Sequence, residues 1–160
     1  MLGKIEYLRG DATQPRTKPT VILHCCNDIH GWGSGFVLAI SKRWKHVEEA
    51  YRKWDEDFYL GQIQIVKAED GIAVCNMIGQ RSTGMFHHIP PVRYEAVNEG
   101  LYRLSIWLTQ TQKKMRDKKI VVSSPRFCCG LAGGTWDKVE ELITTNILTA
   151  GFDVDVYDPV

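Results

Sequence analysis

The segment HCCNDIHGWGSG, residues 24–35, concentrates groups that do chemistry. His30 carries an imidazole whose ordinary pKa lies near neutrality. Asp28 offers a carboxylate that can orient a ring or a water, and Asn27 an amide that both donates and accepts. His24 stands at the end of the preceding apolar run. Gly31, Gly33 and Gly35 then alternate with Trp32 and Ser34. A tight turn needs one glycine; three let another molecule come close to the main chain. A second glycine stretch, RFCCGLAGGTW, covers 126–136. Neither has the GxxxxGK[ST] spacing of a P-loop, and GWGSG is one residue short of GxGxxG.

Both stretches lead from an apolar run into a helical pattern. A helix N-terminus presents unpaired N–H groups and the positive end of its dipole, which favour an anion. In an open α/β sheet the strand ends carry the ligand. Two such loops facing one crevice suit a diphosphate and a sugar without any lysine. The alternative is a pair of tight turns.

The elements that must position these loops follow from periodicity. Short strands are expected at 4–8, 20–26, 62–68, 72–78, 118–125 and 152–159. TVILHCC (20–26) is a continuous apolar run, the pattern of a strand buried on both faces. Pro125 stops the strand before the second loop. Asp70-Gly71 signals a hairpin. Helices are expected at 36–44, 46–57, 94–114 and 135–151, with Thr135 as N-cap and Gly151 as the C-terminal stop. Strands and helices interleave from end to end. The fold class is therefore α/β, a three-layer α/β/α sandwich with a mixed, largely parallel sheet of about six strands. One domain over residues 1–160 is the expectation.

The bulk numbers exclude several classes. Lys+Arg 20 against Asp+Glu 19 leaves a net charge of +1, too little for a dominant electrostatic hold on nucleic acid or an anionic membrane. The cationic stretch 113–119 reads as a solvated helix end. No apolar run approaches the ~20 residues that span a bilayer, and the N-terminus has no signal-peptide layout. A cytoplasmic monomer is the expectation. The five cysteines, Cys25, Cys26, Cys75, Cys128 and Cys129, form no disulfide framework and lack CxxC spacing, so they read as small buried hydrophobes. No metal cluster is evident.

Five blocks in order, GDAT (10–13), VILHCCND (21–28), GWGSG (31–35), SSPRFCCGLAGGTW (123–136) and VDVYD (154–158), resemble a macro domain, the ADP-ribose-binding fold. The resemblance covers nearly the whole chain. HCCNDIHGWGSG looks most like the branch of the ADP-ribose-1″-phosphate phosphatase, and is similar to that of the terminal ADP-ribose protein glycohydrolase. The resemblance implies that Asp11, with the Ala12 main chain, accepts from the adenine amino group and that Tyr157 lies beside adenine. It implies that Asn27 and Gly31–Gly35 surround the distal ribose. It implies that the Cys129–Gly134 loop, with Gly130, Leu131, Ala132 and Gly133, holds the pyrophosphate, and that Pro125 is among the ligand-binding residues. Asp11 read alone would cap a helical turn. Trp32 is a lid over the sugar or an anchor for the loop. His24 holds a neighbouring loop by a hydrogen bond or meets the ligand. His87 and His88 stand before the long helix.

The glycohydrolase branch carries a lysine after the fourth strand and an aspartate in the second glycine loop. Gln80 and Arg81, and Ala132 or Gly133, stand there instead, so a lysine–aspartate mechanism is not expected. Asn27, Asp28 and His30 remain as candidate catalytic residues. The implied ligand is ADP-ribose or ADP-ribose-1″-phosphate, free or as an ADP-ribosylated protein, with no cofactor. The implied activity is removal of the 1″-phosphate; the alternatives are a non-catalytic ADP-ribose reader, a hydrolase of another ADP-ribose linkage, or an α/β domain for another nucleotide.

Overall fold

The computed structural model describes residues 1–84, 88–130 and 132–160. Six strands form one sheet: β1 (Ile5–Arg9), β2 (Thr20–Asn27), β3 (Ile63–Glu69), β4 (Ile72–Gln80), β5 (Val121–Ser124) and β6 (Val154–Asp158). Their order across the sheet is β1-β6-β5-β2-β4-β3. All neighbours run parallel except β3 and β4, the antiparallel hairpin closed at Asp70-Gly71. The expected mixed, largely parallel sheet is observed.

The helices are α1 (Phe36–Arg43), α2 (Lys45–Lys53), α3 (Tyr94–Lys114) and α4 (Trp136–Ile143), the last continued by a π-helical turn, Thr144–Leu148. The apolar run of β2 is buried on both faces because alternate residues point opposite ways. Val21 and Leu23 join Val97, Leu101, Leu104 and Leu108 of α3 and Val139 and Ile143 of α4 in one core. Ile22 and Cys26 join Val37 and Ile40 of α1 and Val47 and Tyr51 of α2 in the other. Each fully buried aliphatic side chain contributes roughly 1.5–3 kcal/mol, so this alternation fixes the register of β2.

Three local expectations are corrected. The helix expected over 46–57 ends at Lys53, and Trp54 is already extended, at φ −66° and ψ 117°. The acidic run Asp55, Glu56 and Asp57 disfavours further helix at a dipole's negative end. Thr135 precedes α4 but its side chain makes no cap bond; its N–H donates to the Tyr94 hydroxyl at 2.9 Å. The strand expected over 118–125 is shorter, Val121–Ser124.

The path of the chain creates a crevice. From β2 it crosses over α1 and α2 to β3 and β4 on one side of the sheet. From β5 it crosses over α4 to β6 on the other side. β2 and β5 are neighbours, so the connections leaving their C-terminal ends part there. That is where an open α/β sheet binds its ligand, and both glycine loops start from those two strand ends.

Candidate functional site

Asn27 builds the first loop. Its Oδ1 accepts from Ile29 N–H at 3.0 Å, Gly31 N–H at 2.8 Å and the Tyr51 hydroxyl at 3.0 Å. Its Nδ2 donates to the Gly31 carbonyl at 2.9 Å. One side chain thus pairs both ends of the turn with the buried Tyr51 of α2. The second loop closes on itself: Gly134 N–H donates to the Cys128 carbonyl at 2.7 Å and Gly133 N–H to the Gly130 carbonyl at 3.0 Å. A Cβ at Gly134 would stand 2.4 Å from the Cys128 carbonyl oxygen, so this close approach needs glycine. Val92 N–H donates to the Ala132 carbonyl at 3.0 Å, joining this loop to the segment after β4.

Three cavities lie along the strand ends. The first, about 440 Å³, is lined by Asp11, Ala12 and Gln14, by Phe36 and Ala39 of α1, and by Pro125 and Tyr157. The middle one, about 210 Å³, shares Phe36 and Pro125 with it and adds His24, Cys25, Gln80, Arg126, Cys128, Gly130 and Ala132. The third, about 270 Å³, shares Cys25, Ser34, Val37 and Gln80 with the middle one and ends at Asn27, Gly31, Trp32, Gly33 and Thr83. Shared walls make them one trough.

The trough gathers most of the expected ligand residues. Asp11, Ala12, Pro125 and Tyr157 meet at one end, although Gly10 to Ala12 and Tyr157 are at opposite ends of the chain. His24, Ser34, Gly35, Gly130 and Ala132 line the middle; Asn27, Gly31, Trp32 and Gly33 line the far end. Cys129 and Gly133 line none of the three, and Leu131 and His87 lie outside the described residues. His88 is exposed, with φ 65°.

Two of the three candidate catalytic residues face elsewhere. His30 has φ 59°. Its ring stacks on Phe58 with centroids 3.7 Å apart, and its Nε2 bonds the Trp54 carbonyl at 2.7 Å. Asp28 accepts from Ser82 N–H at 2.7 Å, pinning the segment after β4. Neither lines the trough. The positive φ at His30 turns its side chain toward α2, and Phe58 supplies an apolar face there.

His24 is buried beneath the loop, edge-on to Trp32. Its Nε2 bonds Asn76 Oδ1. Asn76 Nδ2 donates to Gln64 Oε1 at 2.9 Å, and Gln64 Nε2 to the Ala50 carbonyl at 3.0 Å. Because the Asn76 amide nitrogen is engaged, its oxygen must accept, which assigns the His24 proton to Nε2 and leaves Nδ1 a lone pair. Burial lowers the His24 pKa to about 4. Burial raises the pKa of the Tyr157 hydroxyl, which accepts from Arg16 N–H at 3.0 Å.

Trp32 is 3% exposed and packs on His24 and Tyr51. It anchors the loop, and one edge lines the far cavity. Its Nε1 is buried with no hydrogen-bond partner among the described residues. Asp11 does form the turn expected of it alone: Oδ1 accepts from Thr13 N–H at 2.8 Å and the Thr13 hydroxyl at 2.7 Å.

Sequence reasoning missed Phe36, Cys25, Thr83 and Arg126 as lining residues. Phe36 was readable, since it directly follows GWGSG at a helix start. Thr83 was not, because its place depends on the Asp28–Ser82 contact. Gln80, noted only as a departure, lines two of the cavities.

No family model matches the chain. A protein of unknown function from Bacteroides thetaiotaomicron is 42% identical, with 99% of each chain covered and a TM-score of 0.90. A macrodomain protein from Streptomyces coelicolor is 44% identical, covering 96% of this chain and 98% of that one, with a TM-score of 0.81. The ADP-ribose 1″-phosphate phosphatase of Lodderomyces elongisporus is 23% identical over 159 residues, 96% of this chain and 99% of that protein.

Proposed function

The chain belongs to the macrodomain family, and from that premise we propose that the trough binds ADP-ribose. Adenine occupies the cavity of Asp11, Phe36 and Tyr157. The diphosphate crosses the middle, between the N-terminus of α1 and the second glycine loop. The distal ribose enters the far cavity at Asn27, Gln80 and Trp32. One observation carries this reading. At Gly33 and Gly130, which line the trough, a Cβ would meet nothing within 4 Å. Among the described residues no protein neighbour requires glycine there, whereas a ligand against the main chain would. The chemistry agrees: a carboxylate suits an exocyclic amine, and main-chain N–H groups suit a diphosphate.

Hydrolysis of ADP-ribose 1″-phosphate is the second reading, supported by the end-to-end similarity to a protein of that name. In that reaction water attacks phosphorus, the P–O bond to the ribose breaks, and the ribose oxygen takes a proton. Among the described residues, the far cavity is lined by amide, hydroxyl, thiol and indole side chains, with no carboxylate or imidazole. Asn27, Ser34, Gln80 and Thr83 are the polar groups able to hold the water, and the proton must pass through solvent or the ligand's own phosphates. The same cavity would admit ADP-ribose attached to a protein.

Calorimetric titration with ADP-ribose, with AMP and ribose 5-phosphate as controls, tests the first reading. ADP-ribose is expected to bind at least ~10-fold tighter than either control, about 1.4 kcal/mol. No heat from ADP-ribose at several temperatures overturns it. Phosphate release from ADP-ribose 1″-phosphate tests the second; binding without release leaves a reader.

A further inference from the structure

We propose that Cys25 and Cys128 are a modification site, a thiol pair that closes to a disulfide across the floor of the middle cavity when a peroxide reaches it. Cys25 lies near the end of β2, is half-buried and lines both the middle and far cavities. Cys128 lies in the second glycine loop at φ 65° and lines the middle cavity. The two sulfurs meet over Gly79 of β4. A Cβ at Gly79 would stand 2.8 Å from Cys25 Sγ and 3.5 Å from Cys128 Sγ. A hydrogen there leaves the space that both sulfurs share. The Cys25 thiol makes its one hydrogen bond among the described residues to the Cys26 carbonyl, at 3.9 Å, a long contact that leaves the sulfur available.

The other cysteines do not offer this combination. Cys26 is buried on the opposite face of the sheet, with its sulfur 3.7 Å from the His24 ring. Cys75 is wholly buried in the core. Cys129 follows Cys128 but lines none of the three trough cavities.

The chemistry runs in two steps. The Cys25 thiolate attacks one oxygen of hydrogen peroxide; the O–O bond breaks, Cys25 becomes a sulfenic acid, and hydroxide leaves and is protonated to water. The Cys128 sulfur then attacks the Cys25 sulfur. The S–S bond forms, the S–O bond breaks, and the hydroxyl departs as water with the Cys128 proton. Two thiols and one peroxide yield one disulfide and two waters. Burial pushes the Cys128 thiol well up, so it stays protonated at neutral pH and acts as the second partner.

A disulfide holds its sulfurs about 2.05 Å apart, closer than two unbonded sulfurs can pack. Closing it draws Cys128 toward β2 and carries with it the carbonyl that Gly134 N–H holds and the neighbouring Gly130. If the diphosphate lies on that loop, as the reading above has it, oxidation weakens ADP-ribose binding by about tenfold or more.

The test treats the reduced full-length chain with hydrogen peroxide, blocks free thiols, and reads intact mass and a non-reducing peptide map. Before blocking, the expected product has lost two hydrogens and returns to the starting mass with dithiothreitol; after blocking, the map joins Cys25 to Cys128 by fragmentation. Cys25→Ser and Cys128→Ser should each abolish the link, while Cys26→Ser and Cys129→Ser keep it. Circular dichroism identifies a variant that fails to fold, and the wild-type map then decides alone. A link through Cys26 or Cys129, added oxygen without a link, or no product overturns the site. A link that leaves ADP-ribose affinity unchanged overturns its coupling to the trough. Reduced protein that does not bind ADP-ribose refutes the functional reading instead, and the map still decides the thiol pair.

Discussion

Replacing Asp11 with asparagine separates its two tasks. Oδ1 holds the turn through the Thr13 N–H and hydroxyl, and an amide oxygen can accept both bonds. The second oxygen makes no hydrogen bond among the described residues, and Asp11 lines the cavity of Phe36 and Tyr157. In Asp11→Asn that acceptor becomes an NH₂ donor facing the adenine amino group, itself a donor. Hydrogen bonds to charged groups contribute about 1.5–3 kcal/mol; Asp11 is exposed, which reduces the expected loss to about 1–2 kcal/mol, roughly 5–30-fold in Kd. Unfolding stability should change by less than ~0.5 kcal/mol, whereas Asp11→Ala, which removes the turn bonds as well, should cost about 1 kcal/mol. Calorimetry with ADP-ribose and with its hypoxanthine analogue reads the swap. The analogue presents an acceptor at the same ring position, so the preference for ADP-ribose should shrink or invert in Asp11→Asn. Affinity within twofold of wild type, with the base preference intact, would refute the adenine assignment.

Asn27→Ala removes four hydrogen bonds that organise the first loop. At about 0.5–1.5 kcal/mol each, reduced where the freed groups reach water, the loss is about 2–3 kcal/mol by urea unfolding. His30→Ala should leave ADP-ribose affinity within about threefold, because the ring faces Phe58 and not the trough, while stability falls by about 1–2 kcal/mol. The His24 pKa is lowered to about 4 in the fold, against ~6.5 unfolded. The unfolded chain therefore binds the proton first. Stability is full above pH 6.5 and falls by about 3 kcal/mol as pH drops from 6.5 to 4. Urea titrations across that window should show this slope in wild type and not in His24→Gln.

The continuous apolar run of β2, the Asp70-Gly71 hairpin and the 21-residue α3 were legible because each is written in local sequence: an unbroken apolar stretch, a turn dipeptide and a helical period. So was the placement of two glycine loops on one edge, since both follow buried strands. What the sequence hid is long-range. Phe58 lies far from His30 in the chain, yet its ring decides where the histidine points. Asp28 is fixed by Ser82, which comes two strands later. Gln80 enters the trough through the register shift opposite Cys26 and Asn27. Local spacing carries no trace of such partners. It favoured His30 and Asp28 for chemistry because they are titratable and near the glycines, a criterion blind to orientation.

The same comparison explains the character of the site. Each titratable residue in or beneath the first loop already serves the fold. His24 donates into the Asn76–Gln64 file across β4 and β3, Asp28 ties down the segment after β4, and His30 closes against α2. Asp11 shares its carboxylate between a turn and the trough. The strand ends at the β2–β5 divide are therefore shaped by charged and aromatic side chains but faced largely by glycine, amide, hydroxyl and thiol groups. Such a surface is suited to holding a molecule that brings its own charge. On the proposed reading, the far cavity has no carboxylate or imidazole among the described residues, so turnover there should follow the second ionisation of the ligand's own 1″-phosphate, at about pH 6, more closely than that of His30 or Asp28.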